Sequence, residues 1–178
     1  MIPARPAQAQ TESLLHAFTG ARDGGEPYSR LTPDGAGNFY GTTEIGGLGY
    51  GTVFKLSPNG SRGWNETVLH TFTGYVDGGY PFFTSLIFDG QGNLYGTTAG
   101  GGPTGHGVAF KLSPKGKRWV ETVLFSFGKN DSVGCADPWG GVIRDSAGNL
   151  YGTCLNSGFP QTEAIFQLSQ SMAPGSKK

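Results

Sequence analysis

Acidic and aromatic side chains recur at loop positions along this 178-residue chain, and they offer recognition chemistry rather than bond-making chemistry. Asp23, Asp77 and Asp131 stand in glycine-rich loops, with Tyr28, Phe83 and Trp139 close behind them. Carboxylates accept hydrogen bonds and aromatic rings stack, a combination that suits a sugar or a peptide. The same residues also have a plain structural use. Asp before Gly-Gly is an ordinary turn former, and each aromatic opens a strand in which it can pack. His16 and His70 occupy matching positions where a third copy has Phe125, so that position is one for packing. His106 is alone in its loop, and no serine, cysteine or carboxylate forms a nucleophile motif beside any of the three. The expectation is a protein without catalytic residues and without a cofactor.

Two further sets invite metal or redox readings. Asp34, Asp89 and Asp145 recur with Asn38, Asn93 and Asn149. Calcium takes more oxygens than the two side chains each such turn offers, and the spacing fits an Asx-type turn, so no metal is expected. Cys135 and Cys154 fall at the same end of one repeat, flanking adjacent strands, and are expected to form a disulfide, which accords with an oxidising compartment. Too few ligands surround them for zinc.

The elements that position these residues are repeated. GNFYGTT, GNLYGTT and GNLYGTC begin at Gly37, Gly92 and Gly148, so one unit spans about 55 residues. Within the second unit, residues 86–89 (strand A) and 94–98 (strand B) flank an Asp-Gly-x-Gly-Asn turn, a hairpin signal. Residues 108–112 (strand C) alternate about Lys111 as a half-buried strand does. Residues 121–127 supply strand D. No segment has a helical period. The expected fold is all-β, a β-propeller-like array of about three four-stranded antiparallel blades. Residues 12–18 resemble strand D of the later units, whereas the chain ends after a strand C. The N-terminal strand is therefore expected to complete the last blade. Three blades are few for a ring. A fragment of a longer array, a homodimer forming a six-bladed ring, and three large blades that close alone or leave an open arc are the alternatives.

Composition narrows the function classes. Glycine is abundant (32 residues) without a triplet period, which excludes collagen, and 12% aromatic content argues against disorder. A formal net charge of zero, with no basic run before the final lysine pair, argues against nucleic acid as a partner. No stretch has the length of a transmembrane segment. Residues 1–10 read as a disordered tail or the remnant of an export signal, because Ala7-Gln8-Ala9 has the small-x-small form cut by signal peptidase. Residues 11–169 read as one domain, and residues 170–178 as a disordered polar tail.

GNLYGTT, the GGLGYGTVFKLSPNG block (residues 46–60), ETVLHTFTG (residues 66–74) and the DGG tripeptides together resemble the GloVer-type tandem repeats of choice-of-anchor proteins. The first hairpin of each unit also resembles NHL-like propeller blades. The resemblance implies an exported or surface-displayed bacterial repeat protein, secreted, periplasmic or on the cell surface. Its implied role is a binding module without enzymatic activity, with a carbohydrate, protein or envelope ligand held by glycine-rich loops. The alternatives are a self-assembling structural fragment of a larger propeller, and a propeller lyase or hydrolase with an axial site.

Overall fold

The computed structural model describes residues 11–60, 63–128, 134–156 and 162–169. The segments 1–10 and 170–178, read above as tails, and the candidate ligand residue Asp131 lie outside the described residues.

Each unit is organised first by a turn. Asp89 Oδ1 accepts the backbone N–H groups of Gln91 and Asn93, both at 2.9 Å. Its Oδ2 accepts Asn93 Nδ2 at 2.7 Å and the Tyr95 hydroxyl at 2.9 Å. Asp34 makes the same four contacts with Ala36, Asn38 and Tyr40, and Asp145 holds Asn149 and Tyr151 alike. The recurring Asn and Tyr are thus hydrogen-bond donors to the turn aspartate. Gly37, Gly92 and Gly148 adopt φ of 89°, 81° and 91°, which a side chain would disfavour. Burial pushes the Asp34 and Asp89 carboxyls up, but the converging donors outweigh it and hold both below the ordinary carboxylate range. Burial, then the Asp34 charge, pushes the Tyr40 hydroxyl up to about 12.

Among the described residues, eleven strands form three antiparallel sheets. The first contains β1 (Thr32–Pro33), β2 (Phe39–Thr43), β3 (Thr52–Pro58) and β4 (Trp64–Thr71) in that order. The second contains β5 (Ile87–Phe88), β6 (Leu94–Thr97), β7 (Val108–Lys115) and β8 (Arg118–Ser126). The third contains β9 (Val142–Arg144), β10 (Leu150–Asn156) and β11 (Thr162–Leu168). Strand A of each unit is shorter than its apolar run suggests, because the residues before it are drawn into turns. No helix among the described residues is long and apolar enough to cross a membrane.

The sheets stack face to face in chain order. A phenylalanine on each strand C lies over the glycine of the neighbouring YGT motif: Phe54 over Gly41, Phe110 over Gly96, Phe166 over Gly152. A Cβ at these glycines would stand 2.7, 2.7 and 2.5 Å from the tip of the ring. The other side of each ring receives an edge from the preceding unit. Phe18 meets Phe54 at 4.9 Å, Phe72 meets Phe110 at 5.3 Å, and Phe127 meets Phe166 at 4.9 Å, all T-shaped. A register shift at the same place in both C–D pairs leaves Leu69 and Leu124 unmatched, and such bulges re-aim the strand end. Hydroxyls tie the sheets as well. Thr42 donates to the Pro81 carbonyl at 3.1 Å, and Thr97 to the Gly140 carbonyl at 2.6 Å. Two apolar cores result. One joins Tyr40 and Val53 to Leu94, Phe110 and Leu112, and the other joins Tyr95 and Ala109 to Val142, Leu150 and Phe166.

One expectation is corrected. Residues 11–18 form no strand, and the third sheet ends at β11 without them. Phe18 seats on Phe54, in the first sheet. The reason is local: the phenylalanine that ends each D-type segment is delivered across a short loop to the unit that follows it.

The turn aspartate is the feature on which each hairpin depends. Asp89→Ala strands four donors and is expected to cost about 2–3 kcal/mol in a urea melt. A loss below about 0.5 kcal/mol would show that the turn holds without its carboxylate.

Candidate functional site

At one end of the stack, the D–A loops meet the B–C connections. Gly25 bridges to Ile45, Gly79 to Gly100 and Ala136 to Leu155, the same position in all three units. One residue later, Glu26, Tyr80 and Asp137 adopt φ of 56°, 55° and 50°. Left-handed backbone is uncommon outside glycine and persists where surroundings fix it. Here the surroundings are bonds. The Glu26 carbonyl accepts the Glu44 N–H (3.1 Å) and the Tyr80 carbonyl the Ala99 N–H (2.9 Å). The N–H groups of Tyr80 and Asp137 donate to Tyr50 and His106 carbonyls of the preceding unit (2.8 and 3.1 Å). The side chains pair along the same lines: Tyr50 and Tyr80 rings lie 5.5 Å apart, and His106 Nδ1 lies 3.1 Å from Asp137 Oδ1.

A proline follows each left-handed residue, and an aromatic follows each proline: Tyr28, Phe82 and Trp139. Phe82, not Phe83, is therefore the structural counterpart of Tyr28 and Trp139. The three rings line up across three units. Phe82 sits between Tyr28 at 5.9 Å and Trp139 at 5.8 Å, with interplanar angles of 81° and 78°. Phe83 flanks the row, 4.0 Å from Phe82 and 6.1 Å from Tyr28, and is itself left-handed at φ 49°. Tyr28, Phe83 and Trp139 are each about half exposed, so the row is a surface feature. Acceptors border it. Glu26 and Asp137 each stand two residues before an aromatic of the row, and Glu44 is raised by burial and by the nearby Glu26 charge.

The candidate carboxylates are engaged elsewhere. Asp23 Oδ2 accepts the Thr19 N–H at 2.9 Å, and its Oδ1 the Thr19 hydroxyl. Asp77 binds Thr73 in the same way. His16 Nε2 approaches Asp23 Oδ2 at 3.6 Å, and His70 Nε2 approaches Asp77 Oδ2 at 3.5 Å. Each histidine also sets its ring edge-on against the phenylalanine two residues on. Bonding to Thr19 holds the Asp23 carboxyl below its ordinary range. The structure thus brings the three candidate aromatics together and uses Asp23 and Asp77 to shape the loops beneath.

Behind this histidine–aspartate pair, strand D of the next sheet presents a glutamate. Burial, then the Asp77 charge, raises the Glu121 carboxyl to about 7, and burial likewise raises Glu66. Glu66 Oε1 and Glu121 Oε1 are buried without a hydrogen-bond partner. Sequence reasoning missed these two. The only signal was a glutamate opening every strand D. No group of three or more His, Cys, Asp or Glu among the described residues is placed to hold a metal ion.

Cys135 and Cys154 are bonded, with Cα atoms 5.6 Å apart. Their counterparts are Gly24 with Thr43 and Gly78 with Thr98. There the threonine fills the space of the missing side chain, since a Cβ on either glycine would lie 2.3 Å from the threonine Oγ1. The third unit replaces that contact by a covalent bond at the base of the Trp139 loop.

Two outcomes are expected. Closing a loop of sequence separation 19 stabilises by about 3 kcal/mol; reduction should lower the unfolding free energy from a urea melt by that amount, and an unchanged midpoint would deny the bridge a structural role. Glu121 has a folded pKa raised above its unfolded value, so ionisation is disfavoured in the native state and stability falls as pH rises from about 4.5 to about 7. His70, lowered chiefly by burial, acts oppositely, losing stability as pH falls below its ordinary value. Glu121→Gln removes only the first effect. The melting temperature of the variant minus that of the wild type should therefore be larger at pH 8 than at pH 5, and a difference constant with pH would refute the assignment.

No curated protein and no solved structure matches the chain. A family model for the Gloeobacter/Verrucomicrobia repeat, by contrast, matches residues 4–174, nearly all of the threefold pattern described above, and the chain belongs to that repeat family.

Proposed function

We propose that this chain is an exported, non-enzymatic, propeller-like repeat module that binds a neutral polysaccharide along the row Tyr28–Phe82–Trp139. The observation that carries the reading is the row itself. Equivalent positions of three units place rings at nearly equal intervals of 5.9 and 5.8 Å, with Tyr28 and Trp139 half-exposed and Phe82 partly buried between them, an arrangement that an extended ligand of repeating units matches. Exposed aromatics fixed by backbone bonds bind at low entropic cost, because little freedom is left to lose. Glu26, Glu44 and Asp137 beside the row accept hydroxyl protons and repel acidic polymers, which favours neutral glycans over anionic ones. A protein ligand makes less use of the equal spacing.

Support for the remaining parts is separate. The Cys135–Cys154 bond accords with an oxidising compartment. The strand order within each sheet, a four-stranded meander in the first two units, is that of propeller blades. The non-enzymatic reading is supported by the placement of the histidines: His106 is hydrogen-bonded to Asp137, and His16 and His70 lie edge-on against phenylalanines with Nε2 near Asp23 and Asp77.

Affinity electrophoresis through gels containing soluble neutral glucans, mannans or chitin derivatives tests the reading. Retardation by one of them, weakened about tenfold by Phe82→Ala or Trp139→Ala, is the expected result. Equal retardation of wild type and both variants, or retardation only by anionic polymers, would overturn it.

A further inference from the structure

Among the described residues, the molecule makes the same sheet-on-sheet junction twice and leaves both halves of a third one open. On the rear of the first two sheets, Val53 and Ala109 are 0% exposed, covered by the sheet that follows. Their counterpart in the third sheet, Ile165, is 80% exposed. Thr42 and Thr97 are buried and bonded to carbonyls of the next unit, whereas their counterpart Thr153 is exposed. On the front, Leu86 and Val142 are 1% and 3% exposed, covered by the preceding sheet, while their counterpart Leu31 is 41% exposed. The front of the first sheet and the rear of the third are therefore the two complementary surfaces of one junction.

The strand edges show the same complementarity. β3 and β7 pair on both sides, but β11 pairs with β10 alone among the described residues. What flanks β3 and β7 is a strand of pattern Glu-Thr-Val-Leu-x-x-Phe. Residues 12–18 have the related pattern Glu-Ser-Leu-Leu-His-Ala-Phe, stand in no strand, and carry Leu14 at 82% exposure where Val68 and Val123 are partly buried. Unpaired strand edges recruit strands of matching pattern.

We propose that a second copy of this chain docks head to tail on the first, laying the front of its first sheet against the Ile165 face and pairing its residues 12–18 with β11. The register follows from the two junctions already made. Lys55 opposes Thr67 and Lys111 opposes Thr122, so Gln167 opposes Ser13 of the second copy; Phe166 likewise opposes Leu14. Phe18 keeps its place on Phe54, as Phe72 does on Phe110 while its strand pairs with the preceding sheet. The Thr153 hydroxyl gains an acceptor in the Pro27–Tyr28–Ser29 segment, the counterpart of the carbonyls that Thr42 and Thr97 use. The contact is heterologous, so it propagates to a ring or a filament. It also sets Tyr28 of the second copy beside Trp139 of the first and lengthens the aromatic row across the joint.

The test combines S13C and Q167C in one chain. Mild oxidation is expected to give reducible dimers and larger species from the double variant, and little from either single variant. Ile165→Lys, at an exposed position that leaves the monomer melt unchanged, should weaken association at least about tenfold in sedimentation experiments. A cross-link formed within one chain, equally efficient dimers from S13C alone, or a strict monomer at high concentration would overturn the proposal. Glycan binding by a monomer would leave the preceding section intact while this inference fails.

Discussion

Each unit is held to the next by one aromatic ring seated on a glycine. Phe110 lies against Gly96 so closely that no side chain fits there, and the edge of Phe72 presses on its other side. That contact fixes the spacing between sheets, and the spacing fixes much else. It brings Tyr40 and Tyr95 into the next interface, where their hydroxyls can still reach the turn aspartates of their own hairpins. It also sets the interval at which loops emerge at the end of the stack. The recurrent string GNLYGTT is the imprint of this arrangement. Gly92 bends the turn, Asn93 and Tyr95 bind Asp89, Leu94 fills the core, Gly96 admits the ring, and Thr97 reaches the next unit.

The aromatic row is a by-product of that spacing. Its rings follow three prolines, each preceded by a left-handed residue: Glu26 is bonded within its own unit, Asp137 to the preceding unit, and Tyr80 to both. The left-handed positions hold Glu26, Tyr80 and Asp137, so the backbone geometry is preserved while the side chain varies. Pairing adapts accordingly, with two tyrosine rings at one joint and a histidine–aspartate contact at the next. A rigid loop that tolerates substitution is a suitable base for recognition, because its side chains can change without loss of the frame.

Much of this was legible from residue order. The period, the four-strand order, the Asx-type turns and the meeting of D–A loops with B–C connections all follow from local pattern, and local pattern is what glycine, asparagine and alternation encode. The partner of residues 12–18 was not legible. Their likeness to strand D was plain, but likeness to a strand says nothing about which sheet is adjacent, and Phe18 belongs to the unit in front. The choice of Phe83 over Phe82 failed for a related reason. Counting from the strand gives Phe83, whereas the structure counts from the proline. Asp23 and Asp77 looked available because their donors, Thr19 and Thr73, lie four residues earlier in a segment with no strong pattern of its own. Buried Glu66 and Glu121 depend on contact between separate sheets, which no linear signal marks.

The hydroxyl that crosses each interface has a main-chain carbonyl as its acceptor: Pro81 for Thr42, Gly140 for Thr97. A carbonyl is present whatever residue bears it. This part of the adhesion is thus indifferent to which residue the neighbour carries at the accepting position, unlike the ring-on-ring contact beside it.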